Sequence, residues 1–247
     1  GISKINEGII IGADGVGSKI RKFIDTKSHS PSLSVPLDHS YKELTILPNF
    51  KGEYKLEANA LHIWPRKNFM LIALPNTDKS FTCTLFMPNK GELSFNSLNK
   101  TDEVINFFKK YFPDTIHLLD NFPASFFQNP KGELATIYCE NWHLENLCLI
   151  GDAAHAIVPF FGQGMNASFE DCQILIDCIQ KTDSDWNTTF NEFYQIRKPN
   201  TDAIAKMAIE NYVEMRDSVV NSDYLNQKKI SNNLYKQFPN QFIPRYD

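Results

Sequence analysis

The residues whose types and spacing could do chemistry are concentrated in one stretch, LCLIGDAAHAIVPFFGQGMNASFEDC, at positions 147–172. An apolar run at 147–150 ends in Gly151 and Asp152, which places a carboxylate at the carboxyl end of a predicted strand. Open α/β sheets bind ligands at that edge, although a lone acid there could also cap a helix. The segment therefore predicts a turn that binds a ligand.

A second feature follows in GQGMN, where Gly162 and Gly164 flank Gln163 at the start of a predicted helix. Glycines there leave several backbone N–H groups unpaired and unshielded by side chains. Such a helix end carries roughly half a positive charge and favours an anion. A flavin would use both features, with its ribityl hydroxyls on Asp152 and its pyrimidine edge on the helix. A generic anion site is the open alternative.

The other glycine turn, GADGVGSKIR, is neither of two familiar phosphate-binding loops. Gly12 and Gly17 have the spacing of a P-loop, but Ser18 and Lys19 stand in the reverse order. Asp14 occupies the position where a dinucleotide-binding turn needs its second glycine. A tight strand-to-helix turn is the plain structural interpretation.

His155 follows Asp152 by three residues, a spacing at which two metal ligands are conceivable. No cysteine or further histidine completes a ligand set, so the sequence predicts no metal site. We expect a packed or hydrogen-bonded histidine.

Asn211 interrupts an apolar face of the last predicted helix, and a buried asparagine must be hydrogen-bonded. Either its partner lies within the protein, or it makes the polar contact of an otherwise apolar substrate pocket. The other members of this face are Ile204, Met207, Ala208 and Met215.

Periodicity predicts the elements that position these residues. A strand at 8–11 and a helix at 18–24 precede a β-rich stretch at 41–140, which one helix interrupts with Thr101 as its N-cap. After the strand at 147–150, helices are predicted at 164–180, from 184 to a break or kink at Pro199, and at 200–216. The predicted organisation is a sheet-containing domain at 1–35, a β-rich layer at 36–140, a return at 141–182 and a helical segment at 183–247.

Composition narrows the class of protein. The 247 residues carry a net charge of −4, which argues against a nucleic-acid partner, and 42% hydrophobic with 22% charged residues suits a globular chain. No apolar run reaches the roughly 18–20 residues of a membrane span, so the default expectation is a cytoplasmic protein. Five cysteines without C-x-x-C spacing predict buried, reduced thiols.

The motifs together resemble those of the flavin-dependent aromatic hydroxylases. GADGVGSKIR matches the family's G-x-D-G-x-x-S-x-x-R segment, and LIGDAAH with GQGMN matches its second FAD segment. The resemblance implies an α/β fold, α+β overall, in which a Rossmann-like FAD-binding domain is entered twice. An antiparallel β-sheet substrate domain is inserted between the two visits, as in the hydroxybenzoate-hydroxylase fold.

Within this family, longer segments are similar to the members that hydroxylate L-kynurenine in tryptophan degradation. These segments are GDAAHAIVPFFGQGMNASFEDC, KPNTDAIAKMAIENYVEMRD, HSYKEL and LHIWPR. The resemblance implies that NADPH reduces FAD, that O₂ forms a flavin hydroperoxide, and that its distal oxygen reaches the aromatic ring to give 3-hydroxykynurenine. Because the cofactor carries the difficult chemistry, no side chain is assigned as a general base.

The resemblance also implies roles for individual residues. The cofactor would be bound by Asp14, Gly15, Gly151, Asp152, Pro159, Gly162, Gly164, Met165 and Asn166. The substrate would be bordered by Phe160, Gln163, Asn211, Met215 and Tyr246.

Two family features are missing from these residues: the amino-terminal G-x-G-x-x-G turn for the ADP half of FAD, and an arginine–tyrosine pair that grips the substrate carboxylate. We therefore expect the chain to be part of a longer enzyme, with weak flavin binding and no turnover on its own. A hydroxylase of another aromatic substrate and a non-catalytic FAD-binding fragment are the alternatives.

Overall fold

A computed structural model describes residues 8–183, 185–217 and 222–242. The strands are β1 (Ile10–Gly12), β2 (Leu33–Ile46), β3 (His62–Pro65), β4 (Met70–Pro75), β5 (Phe81–Pro88), β6 (Lys131–Tyr138), β7 (His143–Leu144) and β8 (Leu147–Leu149). The helices are α1 (Lys19–Ser28), α2 (Thr101–Tyr111), α3 (Ala124–Gln128), α4 (Asp152–His155), α5 (Gly164–Lys181), α6 (Trp186–Asp217) and α7 (Ser222–Gln237). Within the described ranges, no helix combines the length and the apolarity that crossing a membrane requires.

The chain divides into two compact units, and the first comprises Gly1–Leu37 with Leu134–Tyr212. Its sheet has the order β1-β8-β7. β1 pairs with β8 in parallel, with Ile10 opposite Leu147, and β7 pairs with β8 antiparallel. Strands more than 130 residues apart in sequence thus meet in one sheet.

The second unit comprises Asp38–Glu133 with Val213–Asp247. Its sheet has the order β3-β4-β5-β2-β6. Two of these strands are divided between the units, because residues 33–37 of β2 and 134–138 of β6 belong to the first unit. In β5, Phe81, Cys83 and Leu85 are fully buried on one face, and Thr84 and Phe86 on the other face are buried as well.

The amphipathic stripe of α2 supplies part of the second unit's core, because Val104, Phe107 and Phe108 are buried there. The predicted N-cap is wrong by one residue, since Thr101 is the first helical residue. A carboxylate does the capping instead: Glu103 Oε2 accepts the N–H groups of Asn99 and Lys100, both at 2.9 Å.

Of the two alternatives predicted at Pro199, the end of a helix is wrong, because α6 runs through this residue, and a kink stays a prediction. A proline removes one helical hydrogen bond, and neighbouring contacts can offset that loss. Arg197 is ion-paired and buried two residues earlier, and Ala205 and Ala208 are buried in the turns that follow. Tertiary packing on both sides therefore keeps the helix continuous.

All five cysteines are free thiols, and four of them are buried. Burial raises the pKa of Cys83 and of Cys148 to about 12, which keeps both thiols protonated and unreactive. Cys172 departs from the expectation, because it lies on the outer face of α5 and is exposed.

Candidate cofactor site

The turn between β8 and α4 depends on a glycine. Gly151 has φ +58° and ψ −145°, a backbone conformation that other residues rarely adopt. A Cβ there would lie 3.0 Å from Ser168 Oγ on α5, so the turn is pressed against that helix. Asp152 follows with an exposed side chain, and no described residue donates a hydrogen bond to its carboxylate. The carboxylate is therefore available to accept hydrogen bonds from a ligand's hydroxyl groups.

The start of α5 is bare backbone, as predicted. A 3₁₀ turn at Pro159–Phe161 ends in Gly162 with φ +66°, and α5 begins at Gly164 without any side-chain cap. A Cβ on Gly162 would meet nothing within 4 Å, so the space beside it is open. The first N–H groups of a helix have no intrahelical partner. This arrangement fits the electron-rich edge of a flavin.

Asp14 has a structural task that limits what it can offer a ligand. Its carboxylate accepts the Ser18 hydroxyl at 2.5 Å and the Lys19 N–H at 2.7 Å, and so it caps α1. Burial, the largest single influence, opposes the charged form, but the hydrogen bonds from Ser18, Lys19 and Ile20 together outweigh it and lower the pKa of the Asp14 carboxyl. Gly15, with φ +77°, completes the turn.

Arg21 joins the two segments that were predicted to hold the cofactor. Its buried guanidinium donates from Nη2 to the Val16 carbonyl, at 2.5 Å, and from Nη1 to the Ala153 carbonyl, at 2.6 Å. The first carbonyl belongs to the Asp14 turn and the second follows Asp152. One side chain thus holds the two turns together.

Asp171, on α5, binds the Gly151 turn from beneath and is completely buried. Its Oδ2 accepts the Gly151 N–H at 2.8 Å and the His155 Nε2–H at 2.5 Å, and its Oδ1 accepts Arg197 Nε–H at 2.7 Å. Burial opposes ionisation of Asp171. The hydrogen bonds from His155, Arg197 and the Gly151 N–H, together with the electrostatic attraction of His155, outweigh burial and lower the pKa of Asp171. His155 is therefore hydrogen-bonded and packed, which confirms the sequence interpretation.

Arg197 extends this network towards the start of α5. It donates from Nη2 to the Ala167 carbonyl at 3.1 Å, and its Nη1 lies 2.5 Å from a carboxylate oxygen of Glu170. A cavity of about 270 Å³ opens beside the guanidinium, and Gln163 and Asn166 line it from the first turn of α5. These two side chains are hydrogen-bonded to each other at 2.9 Å.

Phe160 is buried and stacks on Tyr212 of α6, with ring centroids 4.1 Å apart and planes inclined by 23°. Asn211 Nδ2 donates to the Phe160 carbonyl at 2.5 Å. Asn211 thus has a partner within the protein, which is one of the two alternatives left open by the sequence. Its contact with a substrate stays a prediction.

The comparison with known proteins agrees with this geometry. The sequence profile of a family described as FAD binding domain matches residues 3–182. The chain belongs to this FAD-binding-domain family. A second profile, described as squalene epoxidase, matches residues 134–240. The matched ranges include both turns and the start of α5.

Three relatives that are 44–47% identical to this chain are kynurenine 3-monooxygenases. The Cytophaga hutchinsonii protein is 47% identical over 96% of this chain and 53% of its own length. The Flavobacterium psychrophilum protein is 46% identical over 99% of this chain and 55% of its own, and the Dictyostelium discoideum protein is 44% identical over 98% and 56%. The chain therefore spans about half the length of the curated relatives it matches.

Solved structures share the fold at low identity. Klebsiella pneumoniae HpxO, crystallised with FAD and uric acid, has a TM-score of 0.69 at 16% identity over 90% of this chain and 56% of its own. Tetrameric 2-methyl-3-hydroxypyridine-5-carboxylic acid oxygenase has a TM-score of 0.65 at 19% identity, over 84% of this chain and 55% of its own. These likenesses establish an FAD-binding hydroxylase fold for the chain.

The remaining predicted site residues are placed as follows in this FAD-binding chain. Pro159, Phe160, Gln163, Met165 and Asn166 lie in consecutive turns of the first unit. Met215 lies one helical turn beyond Asn211 on α6, is half-buried and belongs to the second unit. Tyr246 lies outside the described residues.

Sequence reasoning assigned no role to Arg21, Asp171, Arg197 or Tyr212. Arg21 and Asp171 lie within the motifs quoted above, but the sequence does not show which groups their side chains bond to. Beyond Pro199, the buried residues of α6 among those described are Thr201, Ala205, Ala208 and Tyr212, and of these only Ala208 belongs to the predicted face. An apolar stripe that includes Ala205 and Tyr212 at helical spacing is the signal that could have identified Tyr212.

Proposed function

We propose that the intact protein is an FAD-dependent monooxygenase that hydroxylates L-kynurenine to 3-hydroxykynurenine and consumes NADPH and O₂. The observation that carries the proposal is 44–47% identity to kynurenine 3-monooxygenases over 96–99% of the chain. The geometry of the first unit supports it, because the exposed Asp152 carboxylate and the uncapped start of α5 lie within the segment matched by the FAD-binding-domain family.

Each part of the site then has a task in holding the cofactor. Asp152 accepts hydrogen bonds from the ribityl hydroxyls, and the first-turn N–H groups of α5 stabilise negative charge on the pyrimidine edge. The missing side chain at Gly162 leaves room for the ring to approach. When bound, FAD supplies the electrons and activates O₂ for transfer of one oxygen atom.

In substrate binding, the proposed task of this chain is to position the aromatic ring of kynurenine. The Phe160–Tyr212 stack gives a rigid apolar wall, and the hydrogen bond from Asn211 fixes the Phe160 backbone. Gln163, Met215 and Tyr246 are proposed to border kynurenine with them. Holding the aromatic ring in place and away from water favours oxygen transfer over unproductive reduction of O₂.

The deciding experiment incubates the intact protein, with any sequence beyond these 247 residues, with NADPH, O₂ and L-kynurenine. Mass spectrometry should show a product heavier by one oxygen atom, formed only when kynurenine is present. NADPH oxidation that yields hydrogen peroxide without this product would move the proposal to another aromatic substrate. Flavin binding without any NADPH use would favour a non-catalytic FAD-binding protein.

A pair of variants tests the cofactor geometry separately. Asp152→Ala should raise the Kd for FAD about 10- to 100-fold, because it removes a charged hydrogen-bond acceptor. Asp177→Ala removes an equally exposed acid near the other end of α5 and should leave the Kd unchanged. The 247 residues expressed alone should bind FAD weakly and show no turnover, since they contain no G-x-G-x-x-G turn.

A further inference from the structure

The first unit buries a group of charges that no step of the proposed reaction uses. Asp171 is fully buried, Arg197 is 1% exposed and His155 is 4% exposed. Placing charges in a protein interior is costly, and replacing a buried ion pair by apolar residues is often neutral or stabilising. Stability alone is therefore a weak reason for these residues to be here.

The contacts of this group converge on the backbone that faces the cofactor. Asp171 accepts the N–H of Gly151, the residue directly before Asp152. Arg197, paired with Asp171, donates to the carbonyl of Ala167, one turn into α5. The Asp171 carboxylate is thus hydrogen-bonded to the turn that carries Asp152. Through Arg197 it is also connected to the first turn of α5, whose first N–H groups have no intrahelical partner.

The remaining bonds fix the orientation of the carboxylate. His155 Nε2 shares Oδ2 with the Gly151 N–H, and Arg197 holds Oδ1, so both oxygens are occupied. The His155 ring in turn packs on Trp142, with centroids 5.0 Å apart. A side chain held at both oxygens cannot rotate without losing all three bonds, which makes it a rigid spacer between α4 and α5.

We propose that Asp171, held by His155 and Arg197, is a positioning residue that sets the spacing between Asp152 and the first turn of α5, and thereby the fit of the cofactor. The inference rests on the proposed function for the identity of the ligand, FAD. It also concerns the protein without ligand, because the hydrogen bond from the Gly151 N–H to Asp171 needs no cofactor.

The test compares Asp171→Asn with Phe190→Leu in the intact protein. Phe190 is fully buried in the same unit and packs against Trp186 and His143, away from the Gly151 turn. Its truncation controls for a general loss of stability. Circular dichroism first establishes that each variant is folded. The Kd for FAD is then measured by fluorescence titration, and the exchange rate of the Gly151 amide is measured without FAD.

Asp171→Asn should raise the Kd about 10- to 100-fold, the usual effect of removing a group that orients a ligand-binding residue. It should also speed exchange of the Gly151 amide, whereas Phe190→Leu should change neither beyond about twofold at equal folded fraction. If Asp171→Asn does not fold, Arg197→Lys replaces it. This variant keeps the charge but loses the guanidinium fork that bonds Asp171 through Nε and the Ala167 carbonyl through Nη2, and a smaller rise in Kd is expected.

A Kd and a Gly151 exchange rate that match those of Phe190→Leu would overturn the inference. A wrong assignment of the ligand looks different, because the parent protein would then bind no FAD, whereas failure to hydroxylate kynurenine would leave the Kd for FAD measurable. The exchange measurement would still decide whether Asp171 fixes the turn.

Discussion

The two units bury different chemistry. In the second unit, the core contains tilted and edge-on aromatic rings, among them Phe69, Phe107, Phe108 and Phe112. Among the described residues of that unit, the buried polar side chains are hydroxyls and one histidine. The first unit instead buries three charged side chains, Arg21, Asp171 and Arg197, and each of them bonds to backbone.

The difference shows how each core specifies structure. Apolar packing is strong but not directional, so it stabilises a layer without fixing any single backbone group. Hydrogen bonds from charged groups are directional and fix particular carbonyl and N–H groups in place. The first unit, in which α5 begins without a side-chain cap, is the one that fixes backbone groups with buried charged side chains.

The largest effect is expected in the aromatic core. Phe108 is fully buried and touches four other phenylalanine rings. Phe108→Ala should lower the free energy of unfolding by about 3–5 kcal/mol, through lost burial and the cavity left behind. Urea unfolding followed by far-UV circular dichroism measures the change. Phe50→Ala is the control, because Phe50 is 94% exposed, and an equal loss there would contradict the comparison.

Adding a methyl group where the second unit has no room for it should lower the free energy of unfolding less than Phe108→Ala does. A Cβ on Gly132 would overlap the ring of Tyr41 on the adjacent strand β2. Gly132→Ala should therefore destabilise the protein by about 1–3 kcal/mol. In Gly17→Ala the new methyl group meets nothing within 4 Å, so that variant should be as stable as the parent. Equal unfolding midpoints for the two variants would show that the strand has room to adjust.

Acid should weaken the charged core selectively. The pKa of Asp171 is lower in the folded protein than in the unfolded chain, where it is about 3.9. Its stabilisation is therefore present in full above the unfolded value and is lost as the pH falls through the folded value. Urea titrations between about pH 6 and about pH 2 should show this loss, and Asp171→Asn should reduce the slope. An unchanged slope in the variant would assign the acid sensitivity to other groups.

The smallest effect concerns reactivity. Cys172 is exposed, whereas burial raises the pKa of Cys83 and Cys148 to about 12. Iodoacetamide should alkylate Cys172 first in the native protein, with no loss of stability. Peptide mass mapping over time gives the order of labelling. Labelling of Cys148 at the rate of Cys172 would mean that the first unit opens readily.

Local signals predicted much of the framework. The start of α5 at Gly164 followed from the glycine pair, and the strand ending before Gly151 followed from an apolar run beside a turn. The stripe of α2 followed from Val104, Phe107 and Phe108. In each case the determining residues are within a few positions of each other, which is the range that periodicity and capping rules describe.

Features set by distant contacts were not predictable in this way. Asp171 lies 16 residues from His155 and 26 from Arg197, so no local pattern joins them. The continuity of α6 through Pro199 and the burial of Tyr212 against Phe160 are likewise tertiary effects. The motifs located the turns of the candidate site, but not the bonds that hold them together.

The pairing of β2 with β6 has an evolutionary consequence. These strands are the routes by which the chain enters and leaves residues 38–133, and Gly132 packs directly on Tyr41, so the two ends of that insertion are adjacent. When the two ends of an inserted segment are adjacent, the segment can be replaced by another of different length. The replacement need only begin and end at the same two strands. The first unit can in this way receive a different second unit by recombination, without redesign of its own interior.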